Sequence, residues 1–206
     1  MKISIIIVNY NTKDLLLDCI DSIYKHVSSK DFEIIVVDNA STDGSQHALK
    51  ARFDDVILVE SEFNLGFGHA NNIGANIALG EFLFLLNSDT VLVENSLEKL
   101  IVFFESYEAK LRIGVLGTIL VDKDLTINGF GNAFPTASNE ARKNLLTIPI
   151  IRKLISPPNT RSYPFDQEYF EIDYVIGADM LLRKSLYDKM GGFSPAFFMY
   201  YEESDL

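Results

Sequence analysis

Cysteine occurs once in the 206 residues, at Cys19, and that scarcity excludes several function classes. A single thiol forms no intrachain disulfide and supports no cysteine-based zinc site, and it suits a reducing compartment. Cys19 falls among Leu15, Leu16, Ile20 and Ile23 on one helical face, so it reads as a small buried hydrophobe. Histidine is also rare: His26, His47 and His69 show no metal-ligand spacing, and the first two read as exposed helix residues. Positive charge is in deficit. A formal net charge of −11 argues against a nucleic-acid partner, which wants a basic face, and against anionic lipid as a partner of these residues. Long apolar runs are missing too. Ile3–Val8, interrupted by Ser4 and closed by Asn9, is too short for a signal-peptide core or a bilayer span, and a cytoplasmic location is expected. There is no G-x-S-x-G elbow, no P-loop and no defensible Ser/His/Asp arrangement.

What is present is a globular chain with room for one sizeable domain. Its first half alternates strand and helix patterns. Ile3–Val8 is a β-branched run suited to a strand buried on both faces, and Asn11 or Thr12 caps a helix from Lys13 to about Lys25. Phe32–Val37, Val56–Val59 and Phe82–Leu86 read as further strands. Ser45–Phe53, Gly68–Leu79 with Gly80 beyond it, and about Asn95–Tyr107 read as helices. This βαβαβαβ order predicts a mostly parallel sheet with right-handed crossovers and helices on both faces. The second half is less regular. Ile113–Val121 suggests short strands, and Asn128–Tyr169 is rich in Gly, Asn, Ser and Pro and gathers Arg142, Lys143, Arg152, Lys153 and Arg161. Residues 128–170 are therefore expected to be an irregular flap or insertion. Ile172–Ile176 and Met180–Leu182 read as strands, and Lys184–Met190 as a helix stopped by Gly191-Gly192.

The polar motifs sit where strands end. Asn87-Ser88-Asp89 follows Phe82–Leu86 and offers a carboxylate at the carboxyl edge of the sheet, where open α/β sheets bind ligands. One carboxylate there suits Mg²⁺, which keeps most of its waters and takes other oxygens from substrate phosphates. An acidic protein handling a diphosphate also needs a cation between them. Val8-Asn9-Tyr10-Asn11 and Asp38-Asn39-Ala40-Ser41-Thr42-Asp43-Gly44-Ser45 follow the first two strands and converge on the same crevice. Asp38 is placed to accept from a base imide or a ribose hydroxyl, while Asp43 and Ser45 serve equally as helix caps. Asn64-Leu65-Gly66-Phe67-Gly68-His69-Ala70-Asn71-Asn72 is not a dinucleotide fingerprint, because it follows the third strand and has Asn71 at the third glycine position. Its glycines are expected to let backbone approach a ligand, with the asparagines supplying donors and acceptors. Near the end come Gly177-Ala178, Gly191-Gly192-Phe193 and the aromatic-acidic run Tyr200-Tyr201-Glu202-Glu203-Ser204-Asp205. That run reads either as a solvated helix start or as a carboxylate among aromatics raised into the range of a general base.

Taken in order, Ile5–Asn11, Val36–Ser45, Asn64–Phe67, Asn87-Ser88-Asp89, Gly177-Ala178 and Gly191–Glu203 resemble the family 2 inverting glycosyltransferases, closest to bacterial rhamnosyltransferase-like members. The resemblance spans residues 1–206 apart from Asn128–Tyr169. It implies a single GT-A catalytic domain and sugar transfer from a dTDP- or UDP-linked donor to an acceptor hydroxyl in bacterial surface polysaccharide synthesis. The acceptor is expected to be a saccharide or lipid-linked saccharide. By position, Asp38 resembles the acid that pairs with uracil or thymine. Val8, Asn9, Tyr10, Ser41, Asp43, Asn64, Gly66, Phe67, Asn71, Asn72, Ser88, Gly177 and Ala178 are implied in nucleotide-sugar binding. Asn87 and Asp89 stand at the ends of the family's D-x-D motif. The first acid is thus an amide suited to ribose, and the last is implied to hold Mg²⁺ or Mn²⁺. Glu203 matches the catalytic base, one methylene longer than the usual aspartate, with Glu202 as its rival. Relatives continue with helices that close the acceptor site and sometimes dock on the membrane. The chain is therefore expected to be truncated, with peripheral association at the inner face of the cell membrane through the missing part.

Two other readings stand beside this one. A nucleotidyltransferase would want a glycine-rich basic loop after the first strand, whereas this chain has Asn9-Tyr10-Asn11-Thr12 followed by Lys13. A non-catalytic nucleotide-sugar-binding or interaction module is compatible with Asn87, Glu203 and the early end.

Overall fold

The computed structural model describes residues 2–132, 134, 145, 147–148, 163–199 and 202. The chain divides into two units, residues 1–130 with 175–206, and residues 131–174.

The larger unit opens with β1 (Ile3–Asn9), α1 (Lys13–His26), β2 (Phe32–Asp38), α2 (Ser45–Arg52), β3 (Ile57–Glu60), α3 (Phe67–Ile77), β4 (Phe82–Asn87) and α4 (Ser96–Leu111). The short strands β5 (Val115–Leu116), β6 (Leu120–Val121) and β7 (Ile127–Gly129) follow. The expected strand and helix order is therefore present. Ile127–Gly129 pairs with Leu120–Val121, so the irregular stretch begins later than Asn128. In the smaller unit β8 (Gly131–Asn132) pairs with β9 (Tyr174–Val175), which is two residues long where Ile172–Ile176 was expected. There Phe134 stacks on Tyr174 at 6.0 Å, and Phe170 meets Tyr163 and Phe165 at 5.2 and 5.6 Å. Arg142, Lys143, Arg152, Lys153 and Arg161, on which the flap expectation rested, lie outside the described residues. The chain returns to the large sheet as β10 (Asp179–Arg183) and then α5 (Lys184–Met190).

The main sheet has the order β3-β2-β1-β4-β10-β5. β1 through β4 run parallel, and β10 enters antiparallel, pairing Asp179 with Leu86 and Arg183 with Phe82. One face packs Ile5, Ile7, Ile34, Val36, Phe84 and Leu181 under α1 and α4 through Leu16, Cys19, Ile20, Leu97 and Phe104. Each such apolar side chain, fully buried, contributes roughly 1.5–3 kcal/mol. α3 covers the other face: a Cβ on Gly74 would lie 2.6 Å from Ile6 Cγ2. Among the described residues no helix is long and apolar enough to cross a membrane.

Two ends differ from the sequence pattern for local reasons. α4 runs a turn past Tyr107 to Leu111. The Phe103–Tyr107 ring contact at 4.7 Å and the paired hydrogen bonds from Arg183 to Glu108 hold that extra turn. α3 stops at Ile77, and Gly80 is a close-approach glycine rather than a helix stop. A Cβ on Gly80 would sit 2.4 Å from the Ser4 amide nitrogen and 2.6 Å from the Ile3 carbonyl carbon. Those atoms belong to the central ladder and cannot yield without breaking it. Gly80→Ala is expected to lower stability by about 1–3 kcal/mol through overpacking, read as a fall in the urea midpoint. An unchanged midpoint would mean that β1 gives way there.

Candidate active site

Strand order reverses at β1, whose neighbours are β2 and β4, and that switch point is where an open sheet forms a crevice. The loops after β1 and β4 meet there. Thr12 stands at the start of α1, yet its hydroxyl caps nothing. It donates to Asn9 Oδ1 at 2.7 Å and shares a 2.9 Å hydrogen bond with Ser88 Oγ. The first amide of α1 is capped from another loop, by Asp43 Oδ2 at 2.8 Å from Lys13 N. Asp43 Oδ1 also accepts from Ser45 N and Ser45 Oγ. Burial pushes the Asp43 carboxyl up, but the Ser45 hydroxyl and the Lys13 and Ser45 amides outweigh it and hold it below the usual carboxylate range. The oxygens of Asp43 thus knit two helix starts, in line with the capping reading.

Asp38 ends β2 and is 1% exposed. Its Oδ2 accepts from Asn9 Nδ2 at 2.7 Å, and its Oδ1 accepts from Ser41 N at 2.8 Å and Gln46 Nε2 at 2.7 Å. Ser41 Oγ in turn accepts from Asn9 Nδ2 and from the Asn11 amide. Asp38, Asn9 and Ser41 are thus brought together as one buried network, and a nucleobase would share an acceptor that Gln46 already occupies. Asn11 and Ala40 hold positive φ, 55° and 63°, on either side of it. Tyr10 is exposed at the rim, and half-buried Val8 pairs with Asn87 across the sheet.

Beyond β4, Asn87 is half-buried, Ser88 buried and Asp89 exposed. The Asn87 amide donates to Ala178 O at 2.9 Å, which brings Gly177-Ala178 beside this turn. Cys19 Sγ lies 3.7 Å from Asn87 O; burial pushes its thiol up to about 12, with the Asp89 charge adding to it. Among the described residues no three His, Cys, Asp or Glu side chains gather as a cage. An exposed carboxylate at a strand end nevertheless fits Mg²⁺ or Mn²⁺, which needs one or two carboxylates besides water and phosphate oxygens.

The loop after β3 packs against a later part of the chain. Gly66 leaves room for the Phe198 carbonyl and Gly68 for the Phe193 side chain. Gly66 has φ +82°, and a Cβ on it would lie 2.1 Å from Phe198 O; one on Gly68 would lie 2.9 Å from Phe193 Cβ. Asn64 Oδ1 accepts from Gly66 N at 2.9 Å, and Phe67 N donates to Phe198 O at 3.1 Å. Asn71 is buried, its amide donating back to Phe67 O at 3.1 Å. Asn72 has both amide atoms engaged by Tyr187 and Phe193. The polar groups of Asn64, Asn71 and Asn72 therefore bond within the fold. Glu202 is 5% exposed beside Gly68. Glu203 lies outside the described residues, with Tyr201, Ser204 and Asp205.

Sequence reasoning gave no role to Gln46 or Asp179, and none to Asn39 beyond its place in the loop after β2. Asn39 donates to Gly66 O at 3.2 Å and so ties the loops after β2 and β3. Asp179 is 3% exposed, accepts from Thr118 N at 2.8 Å through Oδ2, and leaves Oδ1 without a partner. Burial pushes its carboxyl up to about 7 despite that hydrogen bond. Its position in an apolar strand pattern was the available signal.

The comparisons agree with this architecture. The chain matches Glycosyl transferase family 2 over residues 4–200. It is 35% identical over 121 residues to the poly(ribitol-phosphate) beta-glucosyltransferase of Bacillus spizizenii, covering 56% of this chain and 19% of that protein. It is 27% identical over 191 residues to the N-acetylglucosaminyl-diphospho-decaprenol L-rhamnosyltransferase of Mycobacterium tuberculosis, covering 84% of this chain and 59% of that one. The chain thus spans well under two thirds of the length of these curated relatives. Among solved structures, Staphylococcus aureus TarS 1-349 in complex with UDP superimposes with a TM-score of 0.67 at 20% identity, covering 99% of this chain and 53% of that one. The mannosyltransferase PcManGT of Pyrobaculum calidifontis, in complex with GDP-Man and Mn²⁺, gives 0.62 at 18%, covering 99% and 50%. These likenesses show a GT-A fold. With the match running over almost all of its length, the chain belongs to glycosyl transferase family 2.

Proposed function

We propose that this chain moves a sugar from a dTDP- or UDP-linked donor, with rhamnose among the candidate sugars, to an acceptor hydroxyl with inversion, in bacterial surface polysaccharide synthesis. The observation that carries the reading is the Thr12–Ser88 hydrogen bond of 2.9 Å, which joins the loops after β1 and β4 at the switch point, next in sequence to exposed Asp89. Family membership supports the reaction class. The UDP complex of TarS supports the donor, and the diphospho-decaprenol acceptor in the name of the M. tuberculosis relative supports a lipid-linked saccharide. A nucleotide-sugar donor together with such an acceptor supports a reaction on the cytoplasmic side, at the inner face of the membrane.

In this reading Asn9, Tyr10, Asp38 and Ser41 frame the nucleoside and Asn87 bonds the ribose. Asp89 would hold Mg²⁺ or Mn²⁺, a choice the Mn²⁺ complex of PcManGT supports, and the cation's charge would offset that of the diphosphate. The Glu203 carboxylate takes the acceptor hydroxyl proton. The freed oxygen attacks the anomeric carbon from the side opposite the diphosphate. The carbon–oxygen bond to the diphosphate breaks, leaving its electron pair there, and the centre inverts.

Calorimetry of UDP binding with and without Mn²⁺ tests the assignment. Mn²⁺ should tighten binding by the parent and leave Asp89→Ala unaffected. An equal Mn²⁺ effect in both would remove Asp89 from the site.

A further inference from the structure

Asn72 joins three parts of the chain through one amide. Its Oδ1 accepts from Tyr187 Oη at 2.5 Å and from Phe193 N at 2.9 Å, and its Nδ2 donates to Phe193 O at 2.8 Å. Tyr187 lies on α5 and is 3% exposed. Gly192, φ +72°, passes so close that a Cβ would sit 2.4 Å from Asn72 Oδ1 and 3.0 Å from Tyr187 Cε1. Phe193 follows, 1% exposed, its ring 6.0 Å from Phe67 and edge-on to Tyr187 at 5.8 Å.

Farther along, the same segment touches the start of α3 twice more. Phe198 O receives the Phe67 amide at 3.1 Å, over the space left by Gly66. Glu202 Cβ lies 3.7 Å from where a Cβ on Gly68 would be. Contacts at 193, 198 and 202 therefore seat the segment on the first turns of α3, and Asn72 with Tyr187 fastens its near end.

We propose that Asn72 is a positioning residue for catalysis. Through Tyr187 and Phe193 it fixes the segment that carries Glu202 and Glu203, and so sets where their carboxylates stand relative to the bound donor. This rests on the sugar-transfer reading given above. The requirement for such a fastening is steep, because a misplacement of about 1 Å can lower a rate by about 10²-fold.

The test uses the full-length protein, with hydrolysis of UDP-glucose and dTDP-rhamnose and UDP binding in Mn²⁺ as readouts. Asn72→Ala should lower kcat about tenfold while leaving donor KM, UDP affinity and one UDP bound per chain unchanged, so the lost rate is not lost protein. Tyr187→Phe removes one of the three hydrogen bonds and keeps the ring, so it should lower kcat less, with the same unchanged KM. Hydrogen exchange at residues 193–199 should accelerate in Asn72→Ala more than in Tyr187→Phe. A raised KM at constant kcat would make Asn72 a donor ligand and overturn the proposal, as would unchanged kcat and exchange in both variants. If Asn72→Ala does not fold, Tyr187→Phe decides alone. A parent that hydrolyses neither donor would sink the sugar-transfer reading instead, and unchanged exchange would then still count against the fastening.

Discussion

Glu203→Gln in the full-length protein is expected to lose sugar transfer by about 10²–10⁴-fold, the range carried by a general base. UDP affinity should stay at the parent's value, because glutamine keeps the side-chain shape and the proposed base meets the acceptor rather than the nucleotide. The measurement is kcat for transfer beside calorimetry of UDP. Glu202→Gln should do less. Glu202 is 5% exposed and packed at Gly68, which supports a side chain held in the fold rather than free to reach an acceptor. A larger loss in Glu202→Gln would move the role by one residue. Full activity in both variants would sink the carboxylate-base mechanism, and a parent that transfers no sugar would restore the non-catalytic binding module.

Asp179→Asn is expected to stabilise the protein at pH 8 and to change little at pH 4. The folded protein raises this carboxyl from 3.8 to about 7, chiefly through burial. Folding therefore favours the protonated form. The contribution of Asp179 to stability is whole below about pH 4, falls as pH rises toward 7, and is lost above that. Asparagine mimics the protonated acid at every pH and still accepts from Thr118 N. The gap between variant and parent should open across pH 4–7 and reach on the order of 4 kcal/mol as an upper bound. Urea unfolding of both proteins at several pH values reads it directly. Other carboxylates, such as Glu81 and Glu108 held low by Lys2 and Arg183, titrate in both proteins and cancel in the difference. A gap that stays constant with pH would show that Asp179 is ionised without penalty.

Particular residues mark how far the sequence could be read. The runs Ile3–Val8, Phe32–Val37 and Phe82–Leu86 announced buried parallel strands, because a strand covered on both faces has no polar alternation to hide it. The left-handed stop of α5 at Gly191 was equally plain, since few residues but glycine take φ +88° readily. The loops after those strands were legible as a group, and Asn9, Asp38, Ser41 and Ser88 do lie together at the switch point. Individual roles were not. Asn72 and Gly66 look like ligand-approach residues in any linear reading, because an amide and a glycine carry no mark of whether their partner is a substrate or residue 193 or 198 of the same chain. Asp179 stood unnoticed for a similar reason: burial, not residue type, moves its carboxyl.

By itself the sequence determined the order of elements, the edge of the sheet on which the polar loops fall, and that Cys19 has no second cysteine within these 206 residues to pair with. These follow from local periodicity and residue inventory, which need no knowledge of distant neighbours. Tertiary structure alone decided that β10 enters antiparallel beside β4, that Gln46 closes over Asp38, and that the 191–202 segment lies on α3. Their separations run from 8 positions for Asp38 and Gln46 to 121 for Asn72 and Phe193, and each contact depends on how packed elements meet and not on any pattern within one of them.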